Sequence, residues 1–198
     1  NSFTATLLTW YRNNVLHLFA APSLIALLVS RAKAGIQERH LAEQCRIIYP
    51  FVARELTIDE ALALEPVLQA LSGMGLINRR DGYLRPASKP GEPYTQLAQL
   101  STLLLEMLQR LYVVICIANQ ASLERDELRS ISQASARKLA RLFGLQGAEF
   151  SEDRLFDLFI DRLISVHYLS IDERDRLIAS SLLQRVAQQA AEQVIEPA

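Results

Sequence analysis

The chain has 198 residues, half of them hydrophobic, and 21 Lys plus Arg stand against 22 Asp plus Glu. That is enough apolar material for one sizeable core or two small modules, and it excludes a disordered polyelectrolyte. With the charges nearly balanced, no polyanionic partner is implied by bulk electrostatics.

In chain order, the start Asn1-Ser2-Phe3-Thr4 has no basic leader region, and Trp10, Tyr11, Arg12, Asn13 and Asn14 interrupt the first apolar stretch. A secretory signal is therefore not expected, and the chain reads as a piece of something longer. Val15 to Val29 is apolar but shorter than the ~20 residues of a spanning helix, and it contains His17 and Pro22. Leu97 to Ala118 is long enough but carries Gln99, Glu106, Gln109 and Arg110, so it is a poor lipid-facing span.

Leu41, Cys45, Ile48, Val52 and Leu56 recur every three or four residues and predict an amphipathic helix. Thr57-Ile58-Asp59-Glu60 has capping-box spacing, which predicts a second helix from there to about Ser72, with Leu64, Val67, Leu68 and Leu71 inward. Gly73-Met74-Gly75 can stop it, and the Asp81-Gly82 turn between short apolar runs predicts a hairpin. Helix, helix, hairpin is the order of a winged-helix module.

Pro86, Pro90 and Gly91 mark a linker, after which one long helix is expected from Tyr94 to Asn119, with Leu97, Leu100, Leu104, Met107, Leu111, Val114 and Ala118 on its stripe. Ser122 can cap a helix carrying Leu128, Ile131, Leu139 and Leu142 and ended by Gly144; Ser151 can cap one carrying Leu155, Phe156, Phe159 and Leu163. Val166 to Leu169 reads as a short strand, and Ser170 to Val194 as a final helix with Leu177, Leu182, Val186, Ala190 and Val194 inward. The expected fold is mainly α: a helical bundle with two winged-helix-like modules, each with a short β-hairpin or strand. The boundaries fall at 1–35 for apolar docking helices, 36–92 for the first module and 93–198 for a helical module containing the second.

Cys45 and Cys116 lie in apolar helical patterns with no companion cysteine, and are read as reduced core thiols. His167 and Asp172 fit a His-x-x-x-x-Asp spacing, but Ser170-Ile171-Asp172-Glu173 also has capping-box spacing, which would place Asp172 in the first turn of a helix. The pair is taken as a coincidence. Arg79-Arg80 and the Arg137, Lys138, Arg141 cluster are read as solvated charge, because the candidate recognition helix Glu65 to Ser72 offers only Gln69 to a groove. No nucleic acid, metal or cofactor is expected as partner.

The run Leu7 to Ala26 combines Trp10-Tyr11-Arg12-Asn13-Asn14, then His17, then Pro22-Ser23, in an apolar frame. It resembles a stretch downstream of the catalytic domain in bacterial membrane-associated glycerol-3-phosphate acyltransferases. The likeness continues through Leu41 to Leu56 with Tyr49-Pro50, the Gly75-Leu76-Ile77 turn, Leu139 to Gly144 and the tail. In that family a preceding region holds a His-x-x-x-x-Asp element and phosphate-binding basic motifs. The resemblance implies a parent enzyme that moves an acyl chain from coenzyme A or acyl carrier protein to the sn-1 hydroxyl of glycerol 3-phosphate, the first step of phospholipid synthesis. This chain would be its non-catalytic C-terminal region on the cytoplasmic side of the inner membrane.

Trp10, Tyr11, Arg12, Asn13, Asn14 and His17 then have two readings: a helix with a wet face, or an inter-domain docking element whose polar groups bond across to the catalytic domain. The implied partner is the catalytic acyltransferase domain of the same chain, with the membrane surface as a second candidate. A free-standing winged-helix interaction or DNA-binding protein is the alternative to this whole assignment.

Overall fold

The computed structural model describes residues 2–32, 34–143 and 153–194; for 2–14, 142–143 and 188–194 it describes the backbone alone. The chain divides into two compact units, Asn1–Leu105 and Glu106–Ala198. The first contains α1 (Ser2–Arg31), β1 (Ile36–Gln37), α2 (Glu38–Leu56), α3 (Leu64–Gly73), β2 (Ile77–Arg80), β3 (Tyr83–Pro86) and α4 (Glu92–Thr102). The second takes α5 (Leu105–Gln120), β4 (Leu123–Glu124), α6 (Arg125–Phe143), α7 (Asp153–Ser165), β5 (Leu169–Ile171), β6 (Arg176–Ala179) and α8 (Ser181–Val194). Helix predominates, as the apolar periodicity requires.

In unit 1, α1 packs against α4, α2, α3 and β3. Ser23 to Val29 are seven consecutive buried residues, so the second half of α1 is enclosed on all sides. A helix apolar all round can only be stable when surrounded in this way. Leu24, Ile25, Leu41, Leu68, Ile77, Leu84 and Leu97 are among its most deeply buried side chains, each contributing roughly 1.5–3 kcal/mol relative to exposure. Both positions of the Asp81-Gly82 turn have positive φ, at 54° and 74°. This is the pattern of a two-residue hairpin loop whose twist matches its strands.

Each unit holds a three-stranded antiparallel sheet in which the strand ahead of the helix pair joins the hairpin: β1-β3-β2 and β4-β6-β5. Ile36 faces Leu84 in one and Leu123 faces Leu177 in the other. The core of unit 2 is built on Phe156, Phe159, Ile160 and Leu163 of α7 with Leu128 of α6.

Four sequence expectations are corrected. Thr57 does not start a helix: it sits at φ 56°, ψ 47° and closes α2, its amide bonding to the Ala53 carbonyl, while Asp59 accepts the Ala61 amide in the loop that follows. α3 begins only at Leu64, which places Pro66 in a first turn where a missing N–H costs little.

The expected helix 94–119 is two, interrupted at Leu103 and Leu104. The Ser101 and Thr102 hydroxyls donate to the Ala98 and Gln99 carbonyls at 2.7 Å, a local competition that disturbs the helical ladder.

Ser122 caps no helix: its hydroxyl donates to the Leu177 carbonyl, and Leu123-Glu124 pairs with β6 before α6 starts at Arg125. Residues 170–180 form the β5–β6 hairpin and not the start of a helix; α8 begins at Ser181, with the Ser180 hydroxyl accepting the Leu183 amide. Leu183 is accordingly buried while Leu182 is exposed; Ala190 and Val194 are side chains outside those described, as are Leu142, Gly144 and Ser151.

Candidate functional site

The docking element expected at Trp10, Tyr11, Arg12, Asn13, Asn14 and His17 lies on α1. The first five are outside the described side chains; His17 is exposed. Around it the helix has two contrasting faces. Leu16 and Ala20 turn into the unit, whereas Val15, Leu18 and Phe19 are 49%, 65% and 44% exposed. Spacing of i, i+3 and i+4 puts these three on one stripe, and the half-buried Pro22 continues it a turn later. Apolarity alone does not say which side of a helix is covered, so the sequence leaves open whether Leu18 and Phe19 are buried or face a partner.

His167 and Asp172 each take up a local structural bond. His167 sits at φ 59°, just past α7, and its amide donates to the Ile164 carbonyl. One carboxylate oxygen of Asp172 accepts the backbone amides of Arg174 and Arg176 at 2.9 and 2.8 Å, and this bonding holds its carboxyl below the usual range. The carboxylate shapes the β5–β6 loop, and it is not in a helix's first turn.

The basic pairs divide. Arg79 forks onto Glu38 through two 2.7 Å bonds and reaches Glu65 at 2.6 Å, tying β2 to the first turns of α2 and α3. Arg80 is exposed beside Asp81. On α6, Arg125 pairs with Asp161 and Asp157, Arg129 with Asp157 and Asp126, and Gln133 bonds to Asp153, so a ladder of polar contacts runs between α6 and α7. Arg137, Lys138 and Arg141, further along α6, are exposed. Sequence spacing showed each basic cluster but not that Arg79 is consumed internally.

Cys45 is buried and Cys116 half-buried, and both thiols are free. Burial pushes the Cys45 thiol up to about 12, which makes it a packing group and a poor nucleophile. Among the described residues no group of three or more His, Cys, Asp or Glu is placed to hold a metal ion. Nor, among them, is any single helix long and apolar enough to cross a membrane.

Residues 2–172 match the family model described as "Glycerol-3-phosphate acyltransferase C-terminal region". The chain is 34% identical over 200 residues to the glycerol-3-phosphate acyltransferase of Pseudomonas fluorescens (strain Pf0-1), covering 96% of this chain and 24% of that protein. The enzymes of Pseudomonas aeruginosa (strain UCBPP-PA14) and Pseudomonas syringae pv. syringae (strain B728a) are 35% and 33% identical, over 96% and 98% of this chain and again 24% of their own length. The chain thus spans about a quarter of the length of the relatives it matches. With the match running through α1 and both sheets, the chain belongs to the glycerol-3-phosphate acyltransferase family, as its C-terminal region.

Proposed function

We propose that this region is a non-catalytic brace for the acyltransferase domain of the same chain. The observation that supports it is the match to a C-terminal region that makes up only about a quarter of the relatives' length. In this reading the remainder of the enzyme binds glycerol 3-phosphate and an acyl thioester of coenzyme A or acyl carrier protein, and acylates the sn-1 hydroxyl for phospholipid synthesis. The present chain supplies packing and not chemistry.

Docking runs through Trp10, Tyr11, Arg12, Asn13, Asn14 and His17 on α1, where aromatic anchors and polar groups alternate in the manner of a protein interface. The two helix-and-sheet units are winged-helix-like, used here as scaffold modules. The parent enzyme works at the cytoplasmic face of the bacterial inner membrane, and the region helps to seat it there. The test is to compare acyl transfer, thermal stability and membrane partition of the intact enzyme with and without residues 1–198. Loss of stability and rate supports the brace; an enzyme indifferent to the deletion rules it out.

A further inference from the structure

We infer that the Val15, Leu18 and Phe19 stripe of α1 is the surface onto which the preceding acyltransferase domain of the same chain closes. This rests on the brace reading and names its contact surface as an apolar seam adjoining the polar element at Arg12 to Asn14.

Three large apolar side chains stand 49%, 65% and 44% exposed on one face, on a helix whose next turns are buried all round. Scattered exposed apolar residues need no explanation, but a contiguous stripe does. Pro22, on the same face, has no N–H, so the Leu18 carbonyl lacks its usual i+4 amide donor. A seam that offers apolar side chains, an acceptor carbonyl and the exposed His17 is suited to a protein surface carrying a few matching polar groups.

Two other occupants fit less well. A lipid surface attracts helices with a Lys- and Arg-rich face opposite the apolar one. From Val15 to Ser30 this helix has no Lys, Arg, Asp or Glu, and its opposite face is taken up by the unit's own core. A second copy held by these three side chains alone would bury far less than the ~800 Å2 per partner of a stable complex. A domain tethered in the same chain needs no such area, because its effective concentration is already high. The family region is C-terminal and three quarters of the relatives' length lies outside it, so such a domain would precede α1, the first helix here.

The experiment places the photo-cross-linking residue p-benzoylphenylalanine at Leu18 of the intact enzyme in membranes, and separately at Met74, an exposed position at the end of α3. The Leu18 probe is expected to cross-link within the chain to residues preceding this region, and the Met74 probe is not. A Leu18 cross-link to lipid or to a second copy, or none at all, overturns the inference. If deleting the region damages the enzyme while the Leu18 probe stays silent, the brace stands and only this surface is wrong. If the deletion is harmless, the brace reading itself has failed.

Discussion

Gly75 and His167 occupy the same place in the two units. Each has positive φ, 71° and 59°, one residue before the last amide of a helix-ending motif. Gly75 donates to the Ser72 carbonyl and Leu76 to Leu71; His167 donates to Ile164 and Tyr168 to Leu163. The correspondence continues into the sheets, where Ala87 donates to Leu76 and Ser180 to Tyr168. This is the Schellman arrangement, for which glycine is the usual residue because it has no Cβ.

His167→Gly is therefore expected to stabilise unit 2 by about 1 kcal/mol, by relieving a left-handed conformation that a side chain disfavours. Thermal unfolding measures this, and acyl transfer by the intact enzyme carrying the variant should be unchanged. A thousandfold loss of rate would show that His167 belongs to a catalytic pair after all.

Thr57 offers a sharper version of the same test. As a β-branched residue in left-handed conformation at the end of α2, it should be improved by Thr57→Gly, by about 1 kcal/mol. Were Thr57 a helix N-cap, as its capping-box spacing suggests, the same change would cost a few tenths of a kcal/mol. The sign of the shift in Tm separates the two.

The polar ladder between α6 and α7 should respond to salt. Asp157 meets both Arg125 and Arg129 and is 30% exposed, so its contribution is that of a partly solvated pair. A double-mutant cycle on Arg129 and Asp157 is expected to give a coupling of ~0.2–1 kcal/mol, shrinking as ionic strength rises. A coupling that ignores salt would mean the contact acts through packing.

Acid should loosen the clamp in unit 1. The hydrogen bond from Arg79 is the main cause that holds the Glu65 carboxyl below its ordinary value of 4.5, with a further contribution from Gln69. A carboxyl lowered on folding stabilises the native state above its unfolded pKa, and that stability is lost as pH falls through the lowered value. Arg79→Met should lower the midpoint of denaturant unfolding at pH 7 and flatten its decline below about pH 4.5. An unchanged acid limb would exclude Glu65 as its source.

Cys45 should resist alkylation in the native protein near neutral pH and react only on unfolding, since burial raises its thiol to about 12. Mass-spectrometric counting of labelled cysteines with and without denaturant reads this directly. Rapid native labelling of Cys45 would show that α2 opens locally.

Residue spacing alone establishes that the protein is helical, where most inward faces lie and where the first hairpin turns. Leu41, Cys45 and Val52, or Phe156, Phe159 and Leu163, can share one side of a helix only at their observed spacing, and Asp81-Gly82 supplies the two positive φ angles that a tight loop needs. The polar run at Trp10 to His17, read with Leu41 to Leu56, likewise carried the family.

Long-range packing settles which of two locally adequate partners a group takes. The Thr57 spacing fits an N-cap, yet Thr57 itself closes α2; Asp172 fits a helix start, yet amides of the β5–β6 loop claim it; Ser101 and Thr102 look neutral, yet their hydroxyls help end a helix. The same holds for Leu18 and Phe19: their apolarity is written in the chain, but whether another helix covers them depends on residues far away in sequence. Local energies of about 1 kcal/mol cannot choose between such alternatives, and the burial of a whole core can.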